Sequence, residues 1–323
     1  MRVLVTGCAG YIGSVLVHQL LNKGYEVKGF DSLIFGGESL ISVYNHPKFE
    51  FVRGDIRNEK DLSYAVKDVD AVVHLAAIVG DPACAKQPDL AKSTNLSASQ
   101  ILFEMCRSAT RVKRFIFAST CSNYGKMETD GYVNENSILR PVSLYAELKV
   151  HFEKHILNSS ARNDFGATIL RFATVYGLSP RPRFDLTVNE FVRDATFAKT
   201  LQIYGGQFWR PYCHVNDLAK SCILVLESPL SKVNKNVFNV GDTDENYQKK
   251  MLVSEISKII PDIKVEYVER SEDPRDYKVE FSKISDQLGF SITKRVSNGI
   301  VELHSVLKNG LLSDPYSPRY RNS

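Results

Sequence analysis

The first half of the chain alternates short apolar runs with segments whose apolar residues recur every three or four positions. Residues 2–6 form the first apolar run and read as a buried strand. A helix over 12–23 follows, with Ile12, Val15, Leu16 and Leu20 on one face and Gly24 as its stop. Residues 25–30 give a second strand that ends at Asp31, and 49–52 a third. A helix near 58–66 leads into the strand 71–75, and a long helix within 90–108 into the strand 114–118. A helix over 145–160 and a strand over 167–171 complete the series. Strands alternating with helices at this spacing predict an α/β fold built on a Rossmann-type doubly wound parallel sheet.

After Gly177 the rhythm breaks at Pro180, Pro182 and Pro229. A helix over 187–199, a strand over 236–240, a helix over 251–260 and a short strand over 264–267 predict a smaller mixed α/β C-terminal domain. The expected division is 1–177 for the first domain, with 209–243 returning to it, and 178–208 plus 244–312 for the second. Residues 313–323 are polar with two prolines and read as a tail. A chain of 323 residues is long enough for two cores.

Charge narrows the partners. The 41 basic and 37 acidic residues are interspersed and leave a net charge of +4, which argues against a broad nucleic-acid-binding face. The N-terminus meets polar residues after three apolar ones, so neither a signal peptide nor a membrane span is expected there. Six scattered cysteines without a C-x-x-C pair fit free thiols in a reduced, cytoplasmic setting.

Gly7, Gly10 and Gly13 fall directly after the first strand and open the first helix. Glycines in that context let the backbone approach a dinucleotide pyrophosphate at a helix N-terminus, although such turns also close strand-to-helix joints without a ligand. Asp31 ends the second strand, where a carboxylate accepts ribose hydroxyls and repels a 2′-phosphate. Ser32 and Leu33 follow it and bring no arginine, so NAD is expected over NADP. Asp55, before Ile56, suits either an adenine amino group or a turn cap. Leu75, Ala76 and Ala77 end the fourth strand with side chains small enough for a close-lying cofactor. His74 reads as structural.

Tyr145 and Lys149 stand four residues apart and share a helix face. A phenol is a poor base at neutral pH unless positive charge favours the phenolate, and the ammonium with a nicotinamide ring is expected to lower its pKa. Ser119 and Thr120 end the fifth strand, where a doubly wound fold aims side chains into its ligand crevice.

Taken together, Gly7-x-x-Gly10-x-x-Gly13, Asp31, Asp55-Ile56, His74-Leu75-Ala76-Ala77, Asn95, Ser119-Thr120, Tyr124-Gly125, Tyr145-x-x-x-Lys149, Arg171 to Gly177 and Arg210 to Ala219 resemble one group. It is the nucleotide-sugar epimerase/dehydratase group of the extended short-chain dehydrogenase/reductase superfamily, and the likeness runs over nearly the whole length. The resemblance implies Thr120, Tyr145 and Lys149 as catalytic residues. It implies NAD held by Gly7, Gly10, Tyr11, Ile12, Gly13, Asp31, Ser32, Leu33, Asp55, Ile56, Leu75, Ala76, Ala77, Asn95, Ser119, Tyr145 and Lys149. For a nucleotide-diphosphate sugar it implies Thr120, Thr174, Asn189, Arg210 and Arg275. A homodimer through the helices near 90–108 and 145–160 is implied as well. No metal is expected.

Departures from the group's patterns narrow the reaction. The 4,6-dehydratases carry Thr-Asp-Glu where this chain has Thr120, Cys121 and Ser122, so water elimination is not expected. Epimerases acting at C3 and C5 resemble one another in a cysteine at the position of Ser122, and Cys121 reads as a packed side chain. What remains is oxidation of one sugar carbon, at C4, by a 4-epimerase or, alternatively, a 4-dehydrogenase or 4-keto reductase. Ala173 and Thr174 replace the Phe-Asn of UDP-galactose 4-epimerases. A nicotinamide-sensing regulator of the same fold is the third class, and the kept phenol and ammonium argue against it. Arg210 and Arg275 suit a diphosphate, or else surface ion pairs. Arg275 belongs to the run Glu272-Asp273-Pro274-Arg275-Asp276-Tyr277, and Arg181, Arg183 and Lys86 are further loop cations.

Overall fold

The computed structural model describes residues 1–127, 131–160, 162–268 and 275–322. In chain order its strands are β1 (Arg2–Thr6), β2 (Glu26–Asp31), β3 (Phe49–Arg53), β4 (Ala71–His74), β5 (Arg114–Thr120), β6 (Gly166–Phe172), β7 (Thr174–Tyr176), β8 (Thr200–Tyr204), β9 (Trp209–His214), β10 (Asn236–Val240), β11 (Asn246–Gln248) and β12 (Lys264–Val268). The helices are α1 (Tyr11–Asn22), α2 (Glu59–Val66), α3 (Asp81–Lys86), α4 (Pro88–Lys92), α5 (Ser99–Ser108), α6 (Leu144–Asn158), α7 (Thr187–Phe197), α8 (Val215–Glu227), α9 (Leu230–Val233), α10 (Lys249–Ile259), α11 (Ser282–Leu288) and α12 (Val296–Lys308).

Seven strands form one parallel sheet in the order β3-β2-β1-β4-β5-β6-β10. All seven residues of β6 are buried, as expected of a strand covered on both faces. On one face α1 and α8 pack together, with Val15, Leu16, Leu218 and Cys222 in the core. On the other, Phe152 of α6 stacks edge-on against Phe117 at 4.6 Å, with Phe103 and Phe115 around it. A further core joins α7, α10 and α12 through Val192, Leu252, Ile256, Ile300 and Leu303. Strand order reverses between β1 and β4, and the crevice at that switch point is where such sheets bind ligands.

Three features depart from the expectations. The long helix within 90–108 is α4 and α5 joined by a π-helical turn, Ser93–Ala98. Asn95, in that turn, bonds both backbone groups of Ile78 through its side chain at 2.8 Å. The elements β8, β9, α8, α9, β11, α11 and α12 add to the few expected after Gly177. Residues 313–322 are docked rather than trailing, since Tyr320 is buried and the amide of Phe184 donates to its carbonyl at 2.9 Å. No helix among the described residues is long and apolar enough to cross a membrane, and all six cysteines are free.

Candidate active site

The loop between β1 and α1 fixes one end of the site. Gly7 sits at φ +74°, and a Cβ there would lie 2.8 Å from the Ala76 nitrogen. Only glycine therefore lets the ends of β1 and β4 meet. At Gly13 a Cβ would fall 2.0 Å from the Gly7 carbonyl oxygen, so the first turn of α1 closes over the loop without one. A cavity of about 520 Å³ starts here and reaches the N-terminal end of α6, a size suited to a small-molecule site. Its walls include Gly7, Gly10, Tyr11, Ile12, Gly13, Asp31, Ser32, Asp55, Ile56, Leu75, Ala76, Ala77, Ser119, Thr120, Tyr145, Lys149, Thr174 and Arg275.

Asp31 accepts the amides of Ala9 at 3.0 Å and Leu33 at 2.9 Å, which pins β2 to the glycine loop. Burial raises its pKa, and those backbone bonds oppose the shift. Leu33 itself turns away at φ +61° and does not line the cavity. Asp55 makes the capping contact, its carboxylate holding the amide of Arg57 at 2.9 Å and pairing with that guanidinium, while the residue also lines the cavity. The Arg57 bond holds its pKa below the ordinary value. His74 bridges the Thr6 and Ser99 hydroxyls at 2.8 and 2.9 Å, and burial, helped by Lys149, pushes its pKa down to about 3. It is a neutral structural group.

Helix α6 presents the second end. Ser143 caps it, accepting from the amide of Ala146 at 3.3 Å, while its own hydroxyl donates to Asp81 at 2.6 Å. Lys149 is buried, donates to the carbonyl of Ala118 at 2.8 Å and lies 5.7 Å from the centre of the Tyr145 ring. Burial lowers its pKa to about 8. The expected lowering of the Tyr145 pKa is not supplied by the protein's own groups. Burial raises it, Cys84 and Asp81 add to the rise, and Arg183 opposes. Desolvation outweighs the neighbouring charge.

Behind this wall lies a buried polar network. Ser119 donates to Glu153, one turn after Lys149, and Asn123 donates to the same carboxylate at 2.8 Å. Arg171 pairs with Glu153 at 2.7 Å and donates to the Tyr124 hydroxyl at 3.0 Å. Thr120 accepts the amide of Ser122 at 3.0 Å and keeps its side chain at the cavity. Cys121 is packed away with its thiol toward the carbonyl of Arg171, and burial pushes its pKa well up.

Two residues expected to meet the sugar nucleotide, Asn189 and Arg210, and one expected to meet NAD, Asn95, lie outside the cavity wall. Asn189 is buried, with its oxygen on the Gly177 amide and its nitrogen on Tyr11, Gly177 and Arg183. Those bonds join α7 to the glycine loop and leave the side chain outside the cavity wall. Arg210 also lies outside the wall. It donates to the Trp209 carbonyl at 2.6 Å and covers the Tyr277 ring at 5.1 Å. Asn95 is consumed by Ile78, as described above. Arg275 lines the cavity and pairs with Asp81 at 2.9 Å, whereas Glu272, Asp273 and Pro274 lie outside the described residues. Thr174 lines the cavity beside Ala173.

Several wall residues were not singled out from sequence. Asp81, Arg57, Phe35, Asp185 and Asn322 all line the cavity, as do Arg181 and Arg183, which sequence had marked only as loop cations. Arg183 pairs with Asp185 at 2.8 Å, and Arg181 lies over the Phe35 ring at 4.2 Å. No group of three or more potential metal ligands occurs among the described residues.

A doubly wound parallel sheet, a glycine loop at its switch point and a Tyr-Lys pair across the cavity define a dinucleotide-dependent enzyme of the extended short-chain dehydrogenase/reductase type. The chain belongs to the NAD dependent epimerase/dehydratase family, whose model matches residues 3–241, and the cofactor is accordingly NAD. It is 36% identical over 242 residues to the uncharacterized UDP-glucose epimerase YtcB of Bacillus subtilis, covering 71% of this chain and 73% of that protein. It is 28% identical over 310 residues to a UDP-glucose 4-epimerase of Lactobacillus helveticus, covering 90% and 92%. The structure of UDP-glucuronic acid 4-epimerase from Bacillus cereus, in complex with UDP-glucuronic acid and NAD, superposes with a TM-score of 0.82 at 30% identity. The match covers 96% of this chain and 99% of that one.

Proposed function

We propose that the protein is an NAD-dependent nucleotide-sugar 4-epimerase. The observation that carries this reading is the convergence of Thr120, Tyr145 and Lys149 on one cavity wall with the glycine loop, at a strand end that lacks the dehydratase carboxyl pair. Gly7, Gly10, Gly13 and Asp31 suit the cofactor, since the loop has no side chains to block a pyrophosphate and the carboxylate accepts ribose hydroxyls. NAD, when bound, accepts and returns a hydride at the sugar carbon.

Tyr145, as phenolate, takes the C4 hydroxyl proton at its Oη and later gives it back. Lys149, held on the Ala118 carbonyl, places positive charge beside the ring and favours that phenolate. Thr120 offers a hydroxyl to the substrate oxygen as charge develops. Burial, with Cys84 and Asp81, holds the phenol high in the protein alone, so the positive charge that bound NAD would bring would add to that of Lys149 in favouring the phenolate. Arg275 suits the substrate diphosphate. Residues 1–177 with 209–243 would hold the cofactor and the remainder the sugar nucleotide. A homodimer through α5 and α6 completes the reading.

Tyr145→Phe tests it. Turnover is expected to fall by about 10²- to 10⁴-fold, the usual worth of a general base, with NAD affinity unchanged. An unaltered rate refutes the role of Tyr145.

A further inference from the structure

We propose that residues 313–322 are a strap across the dinucleotide cleft, and that Asn322 and Arg181 bind the ribosyl-diphosphate part of the cofactor. The inference rests on the NAD reading and adds two contacts to it.

The strap is fastened along its length. Tyr316 lies under the Arg193 guanidinium at 4.4 Å, and Tyr320 packs edge-on against Phe184 with ring centres 5.8 Å apart. The Phe184 amide donates to the Tyr320 carbonyl at 2.9 Å, and Arg181 donates to the Arg321 carbonyl at 3.3 Å. The Asn322 amide then donates to Asp185 at 3.1 Å. This run of bonds brings Asn322 into the cavity wall beside Arg181, Arg183 and Asp185.

Two polar atoms in that wall are buried without a hydrogen-bond partner among the described residues: Oδ1 of Asn322 and Nε of Arg181. Native proteins leave few buried polar atoms unpaired, so an orphan acceptor and an orphan donor on two neighbouring residues of one cavity wall point to a partner still to be supplied there. Arg181 is 8% exposed, rests on Phe35 and lies within the electrostatic reach of Asp31. That neighbourhood is the ribose side of the glycine loop. The guanidinium Nε donates to a phosphate or ribose oxygen, and the Asn322 carbonyl accepts from a ribose hydroxyl or a base amino group. Arg183 is already matched by Asp185, which leaves Arg181 as the cation of this wall that meets the diphosphate charge. The sugar nucleotide carries the same ribosyl-diphosphate chemistry, but Asp31 and Phe35 place this contact on the cofactor.

The full chain and its Asn322→Ala and Tyr320→Ala variants, stripped of bound nucleotide, would be titrated calorimetrically with NAD and, separately, with UDP. Limited proteolysis would report whether the strap has opened. Asn322→Ala is expected to weaken NAD about 5- to 10-fold, the worth of one buried hydrogen bond. Tyr320→Ala is expected to weaken NAD at least as much while exposing residues 313–322 to protease. UDP affinity stays unchanged in both. NAD affinity unaltered in Asn322→Ala, or a loss that falls on UDP instead, overturns the proposal. Failure of the wild-type chain to bind NAD would sink the functional reading itself.

Discussion

Arg171→Met is expected to destabilise the fold by about 3–5 kcal/mol, because it strands a buried carboxylate behind the catalytic wall. The side chains of Arg171 and Glu153 are 5% and 2% exposed. The guanidinium gives Glu153 a 2.7 Å bond from Nη2 and longer ones from Nε at 3.1 and 3.2 Å. Without it the carboxylate keeps, among the described residues, only the Ser119 hydroxyl and the Asn123 amide. Neither brings a charge, and both are already in use. Glu153→Met strands the guanidinium with the Tyr124 hydroxyl in the same way. The double variant removes both charges and leaves only neutral partners unsatisfied, each costing about 1–3 kcal/mol. Its loss should therefore fall well short of the sum of the single losses, with a coupling of about 2 kcal/mol or more. Urea unfolding followed by circular dichroism at neutral pH measures all three. A loss below about 1 kcal/mol for Arg171→Met, or strictly additive losses, would show that the pair does not act as a buried unit.

Two further outcomes follow from the geometry. Gly13→Ala puts a Cβ 2.0 Å from the Gly7 carbonyl and must displace the start of α1, so NAD affinity should drop by more than about tenfold with the circular dichroism spectrum unchanged; calorimetry showing full affinity would refute the cradle. His74 has a pKa near 3 when folded against an ordinary 6.5, so the unfolded chain takes up the proton first and stability is lost as pH falls from about 6.5 toward 3. His74→Gln should flatten that part of the stability-pH curve, and an identical slope in the variant would remove His74 as its source.

The legible parts of this site are those written in short spacings. Gly7, Gly10 and Gly13 lie beside one strand and one helix, and Tyr145 and Lys149 on adjacent turns, so local geometry alone brings each set together. The sheet was legible for the same reason, since each strand and helix carries its own period. Long-range pairing was not. Asp81 meets Arg275, and Glu153 meets Arg171, only after the sheet has formed, and no spacing announces either pair. Asn189 and Asn95 sit in suggestive positions, yet backbone groups of neighbouring elements take up their polar atoms. Helix α12 did carry a signal, with Val296, Ile300, Leu303 and Leu307 at helical spacing. Strand β9 was hidden by Pro211 and its polar neighbours. The docking of residues 313–322 depends on Tyr320 finding Phe184, a contact that composition cannot reveal.

The most direct test of hydride leaving and returning is absorbance at 340 nm. The purified protein would be mixed with NAD⁺ and a panel of UDP-, GDP-, CDP- and dTDP-sugars, with products resolved by chromatography. UDP-glucose and UDP-glucuronic acid come first, as the donors of the named relatives. A 4-epimerase is expected to convert one donor to its C4 epimer without a lasting rise at 340 nm. A persistent rise matched by release of a keto sugar would contradict the epimerase reading and identify a dehydrogenase.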